Sequence, residues 1–175
     1  TENRVLNCGY QQVPSIGIGA SLQIGELCVE SCEVMNTGVS PDNTTVSSLS
    51  WGIVADLILE ARVQSNLVTY ANAALLDANQ EHRALWMRGW WEQVITFGAG
   101  QVIFGFSAQI LDNKFLGPGR SALIEIAQQS VSDNLFRRFE RLFFSNNFCW
   151  HASVAAQGTA TVSLAGRSAI VMGNH

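Results

Sequence analysis

The sequence predicts an α+β protein that is mainly α. Long helices are expected over about 47–97 and 121–144, with a further apolar helical segment at 93–111. Short N- and C-terminal strands would form a small sheet beside them. Three observations carry this expectation. An apolar seam recurs at steps of three and four from Val54. No proline stands between Asp42 and Gly117, so nothing forces a break. The two ends of the chain are instead rich in glycine, turn formers and alternating residues.

Residues 1–46 read as two or three short strands. Gly17, Gly19 and Gly25 punctuate short apolar pieces, and 34–43 is dense in turn formers. Ser47, Ser48 or Ser50 can cap a following helix. Its seam runs Val54, Leu57, Ala61, Gln64, Val68, Ala71, Leu75, Ala78, His82 and Leu85, the spacing of a coiled-coil contact. Ala61, Ala71 and Ala78 would let a second helix approach closely. Gln64 and His82, polar within the seam, are expected to meet partners or fix register. A kink is allowed near Ser65-Asn66 or Asn79-Gln80.

From Gln93 to Leu111 the chain carries no charge, and Trp86, Trp90 and Trp91 stand just before it. That length is close to a membrane span, and tryptophan often flanks one. Three glycines and several amide and hydroxyl side chains argue that at least one side meets protein or water. As a helix the segment sets Gly98, Gly105 and Ala108 on one thin face suited to close packing. As strands it would need turns at Gly98-Ala99-Gly100 and at Gly105. The helix is the favoured reading, because no stop signal separates it from Trp86.

Asp112-Asn113 and Gly117-Pro118-Gly119 make a tight connection. A helix then follows from Ser121, with Ile124, Ala127, Val131, Leu135, Phe139 and Leu142 on one face, ended by Asn146-Asn147. Residues 148–175 turn β-like again: 159–164 alternate, and Ala169–Met172 can return as a second strand. No repeat of 20–50 residues stands out. The chain is read as a single domain, 1–175, with a strand and loop zone (1–46), a helical zone (47–144) and a β-hairpin zone (148–175).

Composition narrows the function classes. Charged residues make up 14% of the 175 and the net charge is −4, against a usual charged share of about 25%. The negative balance argues against sequence-independent nucleic-acid binding, and no specific nucleic acid is expected. Residues 1–60 hold seven acids against Arg4 alone, while 113–175 hold Lys114 and five arginines against three acids. That asymmetry suits packing of one copy on another. Four cysteines (Cys8, Cys28, Cys32, Cys149) permit two disulfides, and Asn43-Thr44-Thr45 is a formal glycosylation acceptor. Neither decides the compartment.

No cofactor or metal is expected. The glycine runs lack the residues of a phosphate loop or dinucleotide fingerprint, and the acids and three histidines are dispersed. Cys149-Trp150-His151 is the one nucleophile-and-base candidate, outweighed by the simpler reading of a packed junction. Abundant apolar surface points elsewhere, to a non-enzymatic structural subunit of a large homo-oligomer, in a virion-like particle or a ring of the cell envelope. Its partners would be itself, other assembly proteins and, in the alternative, a membrane that residues 86–111 enter. The interface candidates are Trp86, Trp90, Trp91, Gly98, Gly105, Ala108, Ala61, Ala71, Ala78, Arg137, Arg138 and Arg141.

Overall fold

The computed structural model describes residues 2–6, 14–39, 49–69, 81–89, 94–97, 100–103, 107–119, 123–132, 135–137, 139–153 and 161–175. Every regular element among them is a strand. The chain winds through five coils. The first holds β1 (Arg4–Leu6) and β2 (Ser15–Glu30), and the second β3 (Glu33–Met35) and β4 (Leu49–Gln64). The third holds β5 (Leu67–Thr69), β6 (Glu81–Gly89), a β7–β8 hairpin (Val94–Phe97, Gly100–Ile103) and β9 (Ser107–Leu111). The fourth holds β10 (Lys114–Gly119), β11 (Ile124–Ala127), a β12–β13 hairpin (Gln129–Ser132, Leu135–Arg137) and β14 (Phe139–Ser145). The fifth holds β15 (Phe148–Ser153), β16 (Val162–Leu164) and β17 (Gly166–Met172).

Equivalent strands of successive coils pair in parallel, giving three stacks. Stack I is β1-β3-β5-β10-β15. Stack II joins the first halves of β2 and β4 to β6, β11 and β16; stack III joins their second halves to β9, β14 and β17. β2 and β4 cross from II to III at Leu22 and Leu57, whose φ values are 56° and 55°. A chain that stacks coil upon coil with parallel strands on each side is a β-solenoid.

Inward side chains form columns, because parallel pairing brings like positions together every ~4.8 Å. In stack II the columns are Ile18–Ile53–Leu85–Ile124–Val162 and Ala20–Ala55–Met87–Ile126–Leu164. Stack III contributes Leu27–Ala61–Ala108–Leu142–Ala169 and Val29–Val63–Ile110–Phe144–Val171. Stack I adds Val5–Val34–Val68–Phe115–Cys149. Their middle members are buried and form one hydrophobic core. At Gly52 the wall is tight: an added Cβ would meet Val68 Cγ1 at 2.4 Å and the Ala84 carbonyl oxygen at 2.6 Å, so a larger residue needs a backbone shift.

One corner repeats in every coil. Ser31, Ser65, Asp112, Asn146 and Gly173 take left-handed φ values of 53–64° and turn the chain from stack III to stack I. The residue after each is Cys32, Asn66, Asn113, Asn147 or Asn174. Asparagine, aspartate and glycine tolerate this conformation best; serine adopts it at some cost. The asparagines form a hydrogen-bonded ladder along this corner.

The expected helical architecture is therefore corrected, and with it the helical bundle. The described members of the three-and-four seam from Val54 lie in strands β4, β5 and β6, while Ala71, Leu75 and Ala78 lie outside the described residues; alternation within each strand is reset at each corner, so buried residues fall at mixed steps of two and three, such as Ile58, Ala61 and Val63. The 121–144 helix is instead β11, the β12–β13 hairpin and β14. Within the charge-free run the described residues are strands, β7 paired antiparallel with β8 and then β9, which is the strand alternative. The expected membrane-spanning helix at 86–111 is corrected by the same strands. No described helix is long and apolar enough to cross a membrane. The terminal strands do not form a small sheet of their own; they are the first and last coils of the stacks.

Candidate functional site

The outer surface of stack II carries aromatic and charged side chains from adjacent coils. Outward positions alternate with the buried columns, and register places them in three rows: Ile16–Trp51–Arg83, Gly19–Val54–Trp86–Glu125 and Ser21–Asp56–Arg88–Ala127. Trp51 and Trp86 are thus diagonal neighbours on adjacent coils, with Val54 and Arg83 filling the other diagonal. Ile16, Trp51, Val54, Asp56, Arg83 and Trp86 line a shallow open groove of ≈ 300 Å³.

Ion pairs between coils hold the rim. Arg88 is bidentate on Asp56, Nε donating to Oδ1 at 2.7 Å and Nη2 to Oδ2 at 2.9 Å. Its guanidinium also stands over the Trp86 ring, 5.5 Å from the centroid, a cation–π arrangement. Arg83 Nη1 lies 2.7 Å from Glu125 Oε2. These four side chains are only 18–30% exposed, so they are held in place more firmly than freely solvated surface pairs.

Beneath this surface lies a buried polar stack. Ser15 and Ser50 are in register, as are Ser50 and His82. Ser50 Oγ and His82 Nδ1 are 2.8 Å apart, and both residues are 1% exposed. The distance suits a nucleophile and its base, but the pair is sealed inside the wall, where no substrate can reach it. Its geometry serves satisfaction of buried polar groups.

Cys149 is half-buried at the foot of the stack I column, and burial pushes its thiol from 9.0 up to about 11. That is the opposite of nucleophile activation. The side chain of His151 lies outside what is described. Cys28, Cys32 and Cys149 are free thiols. Among the described residues no group of three or more His, Cys, Asp or Glu is placed to hold a metal.

The five interface candidates among the described residues lie on different elements. Trp86 lines the groove. Ala61 and Ala108 stack on each other in the interior. Arg141 is exposed on the outer face of β14, and Arg137 lies in β13. Trp90, Trp91, Ala71, Ala78, Gly98, Gly105 and Arg138 lie outside the described residues. Of the acids in 1–60, Glu26 and Glu30 pair with Arg62, Glu33 with Arg4 and Asp56 with Arg88. Much of the apparent charge asymmetry is thus neutralised between neighbouring coils. Sequence reasoning missed Trp51, Asp56, Arg83, Arg88 and Glu125. Only the strand period together with the coil register would have shown them to share one face.

Fold and surface together define a β-solenoid with an aromatic, ion-paired outer groove. Comparison with protein-family models, curated proteins and solved structures finds no match.

Proposed function

We propose that this chain is a non-enzymatic structural subunit that self-associates through its fifth coil. The observation carrying the reading is apolar surface concentrated at that end. Val171 stands in register over buried Phe144, in an interior column, yet is 55% exposed. Ile170 and Met172, at 47% and 60% exposed, join Leu111 and Phe143 in lining an outward groove on stack III. One edge of β17 pairs with β14, and no described strand occupies the other. An apolar patch beside a strand edge that no described strand covers favours association with another chain. A second copy brings the same patch and the same edge, as a self-complementary contact requires.

Light scattering after size exclusion tests this. The protein is expected to run as a dimer or larger species at micromolar concentration, and Ile170→Lys with Val171→Lys is expected to return it to monomer. A monodisperse 19.0 kDa monomer of the unmodified chain overturns the reading.

A further inference from the structure

We propose that Met172 is an oxidation site, and that its conversion to the sulfoxide by a peroxide releases the fifth-coil contact. The proposal rests on the self-association read above and supplies its regulation.

The chain has three methionines, and the fold places them differently. Met87 is the middle member of a stack II column and is fully buried. Met35 is half-buried on β3, in register with Thr69. Met172 is 60% exposed, more than any other large apolar side chain among the described residues. A thioether is oxidised where the oxidant reaches its sulfur, so Met172 leads the three.

Cysteine is the usual competitor for a peroxide, and it reacts through its thiolate. The described thiols compete poorly. Cys32 is buried, and its thiol donates to the Glu30 carbonyl at 3.3 Å. Loss of water raises the Cys28 thiol above 9.0, and the neighbouring Glu30 carboxylate raises it further. Burial holds the Cys149 thiol up at about 11. Cys28 and Cys149 therefore stay protonated near neutral pH, whereas a thioether needs no deprotonation to react.

Position gives the reaction its consequence. Register carries an outward row Gln64–Leu111–Ser145–Met172 along stack III, beside the row Gln109–Phe143–Ile170. Met172 thus stands at the fifth-coil end of the apolar groove, on the strand whose second edge no described strand covers. In the oxidation, the thioether sulfur donates an electron pair to one peroxide oxygen and the O–O bond breaks. That oxygen stays on sulfur, and the other leaves as water with both peroxide protons; sulfur is oxidised and the peroxide reduced. A polar S=O then stands on a surface shared with Leu111, Phe143 and Ile170. Water solvates it in the separate chain, but a contact between two copies strips that water away, so oxidation disfavours association. The separate chain exposes the sulfur most, so oxidation also draws copies out of the associated pool.

The test adds limiting hydrogen peroxide to the full chain at neutral pH. Peptide mass mapping follows the gain of oxygen, and light scattering after size exclusion follows association. Met172 is expected to gain one oxygen atom before Met35, Met87 and the cysteines do. Association of the oxidised chain should weaken about tenfold or more, the size expected from desolvating one unpaired polar group. Methionine sulfoxide reductases, one for each sulfoxide epimer, should restore it. Met172→Leu is expected to associate as the parent does and to ignore the peroxide. Met172→Gln, polar at the same place, should associate weakly with no oxidant present; far-ultraviolet circular dichroism checks that each variant folds. An untreated parent that is already a monomer removes the self-association reading and this proposal together. A parent that associates, and still does so once Met172 is oxidised, overturns this proposal alone. So does oxidation of another residue ahead of Met172, or a Met172→Leu chain that peroxide still dissociates.

Discussion

Asn66 and Asn113 stand one above the other at the same corner of adjacent coils, 47 residues apart in sequence, with Asn66 Nδ2 donating to Asn113 Oδ1 at 2.9 Å. The same oxygen accepts the Asn66 backbone N–H at 3.0 Å, and Asn113 Nδ2 donates to the Val63 carbonyl at 2.9 Å and to Asn147 Oδ1 at 2.9 Å. Asn147 repeats the pattern with Ile110 and Asn174. Each rung thus satisfies its own amide and two backbone groups that the corner would otherwise leave buried and unpaired.

Replacing Asn113 by Ala should therefore cost about 3 kcal/mol or more, because several buried groups lose partners at once. Urea denaturation measures it: the midpoint should fall. A loss below about 0.5 kcal/mol would mean the ladder is ornamental, since surface substitutions reach that size.

Cys32 is the break in the ladder. Its N–H donates to Asn66 Oδ1 at 2.9 Å, as a rung should, but its side chain offers sulfur where the other rungs offer an amide. Asn3 Nδ2 stands 4.0 Å from that sulfur. The thiol itself donates to the Glu30 carbonyl at 3.3 Å, and Cys32→Asn is expected to stabilise the protein by about 1 kcal/mol by replacing these weak sulfur contacts with amide hydrogen bonds. A raised melting temperature checks it, with Cys32→Ala as the reference that removes sulfur without adding an amide.

The Ser50–His82 contact predicts thermodynamic coupling rather than activity. His82→Leu should destabilise strongly by leaving the Ser50 hydroxyl buried without its partner, and adding Ser50→Ala should recover part of the loss. A double-mutant cycle should return an interaction of about 1 kcal/mol or more. Additive effects would remove the polar stack from the account of this wall.

Cys149 should resist iodoacetamide near neutral pH and react only as the pH climbs towards 11. Its thiol is pushed from 9.0 to about 11 by burial, so the folded protein keeps a proton that the unfolded chain releases. The associated stability is fully present below 9.0 and is lost as the pH rises from 9.0 to about 11. Denaturation midpoints of the parent and Cys149→Ala, compared across that interval, should converge. Rapid labelling at neutral pH would restore the nucleophile reading.

Punctuation was more legible in this sequence than periodicity. Ser65-Asn66, Asp112-Asn113 and Asn146-Asn147, read as a kink, a connection and a helix end, are all corners of the solenoid. What joins them was misread because a one-residue left-handed corner shifts the inside–outside alternation, and the mixture of steps resembles helical spacing. The repeat escaped notice for a different reason. Successive corners lie 34, 47, 34 and 27 residues apart, because the segments between stacks, hairpins in two coils among them, differ in length from coil to coil. Trp86 was singled out from its neighbours in sequence, whereas four of its five partners in the groove come from two other coils and could not be seen without register.

Those hairpins carry a wider consequence. β7–β8 and β12–β13 leave the wall at one corner in consecutive coils, yet the columns on either side of them keep their register. The scaffold thus separates what must stay constant from what is free to vary. Rungs and columns set the fold, while segments between β6 and β9 or between β11 and β14 are open to exchange for others of different length and chemistry. Such a chain can acquire new surface by swapping loops without renegotiating its interior.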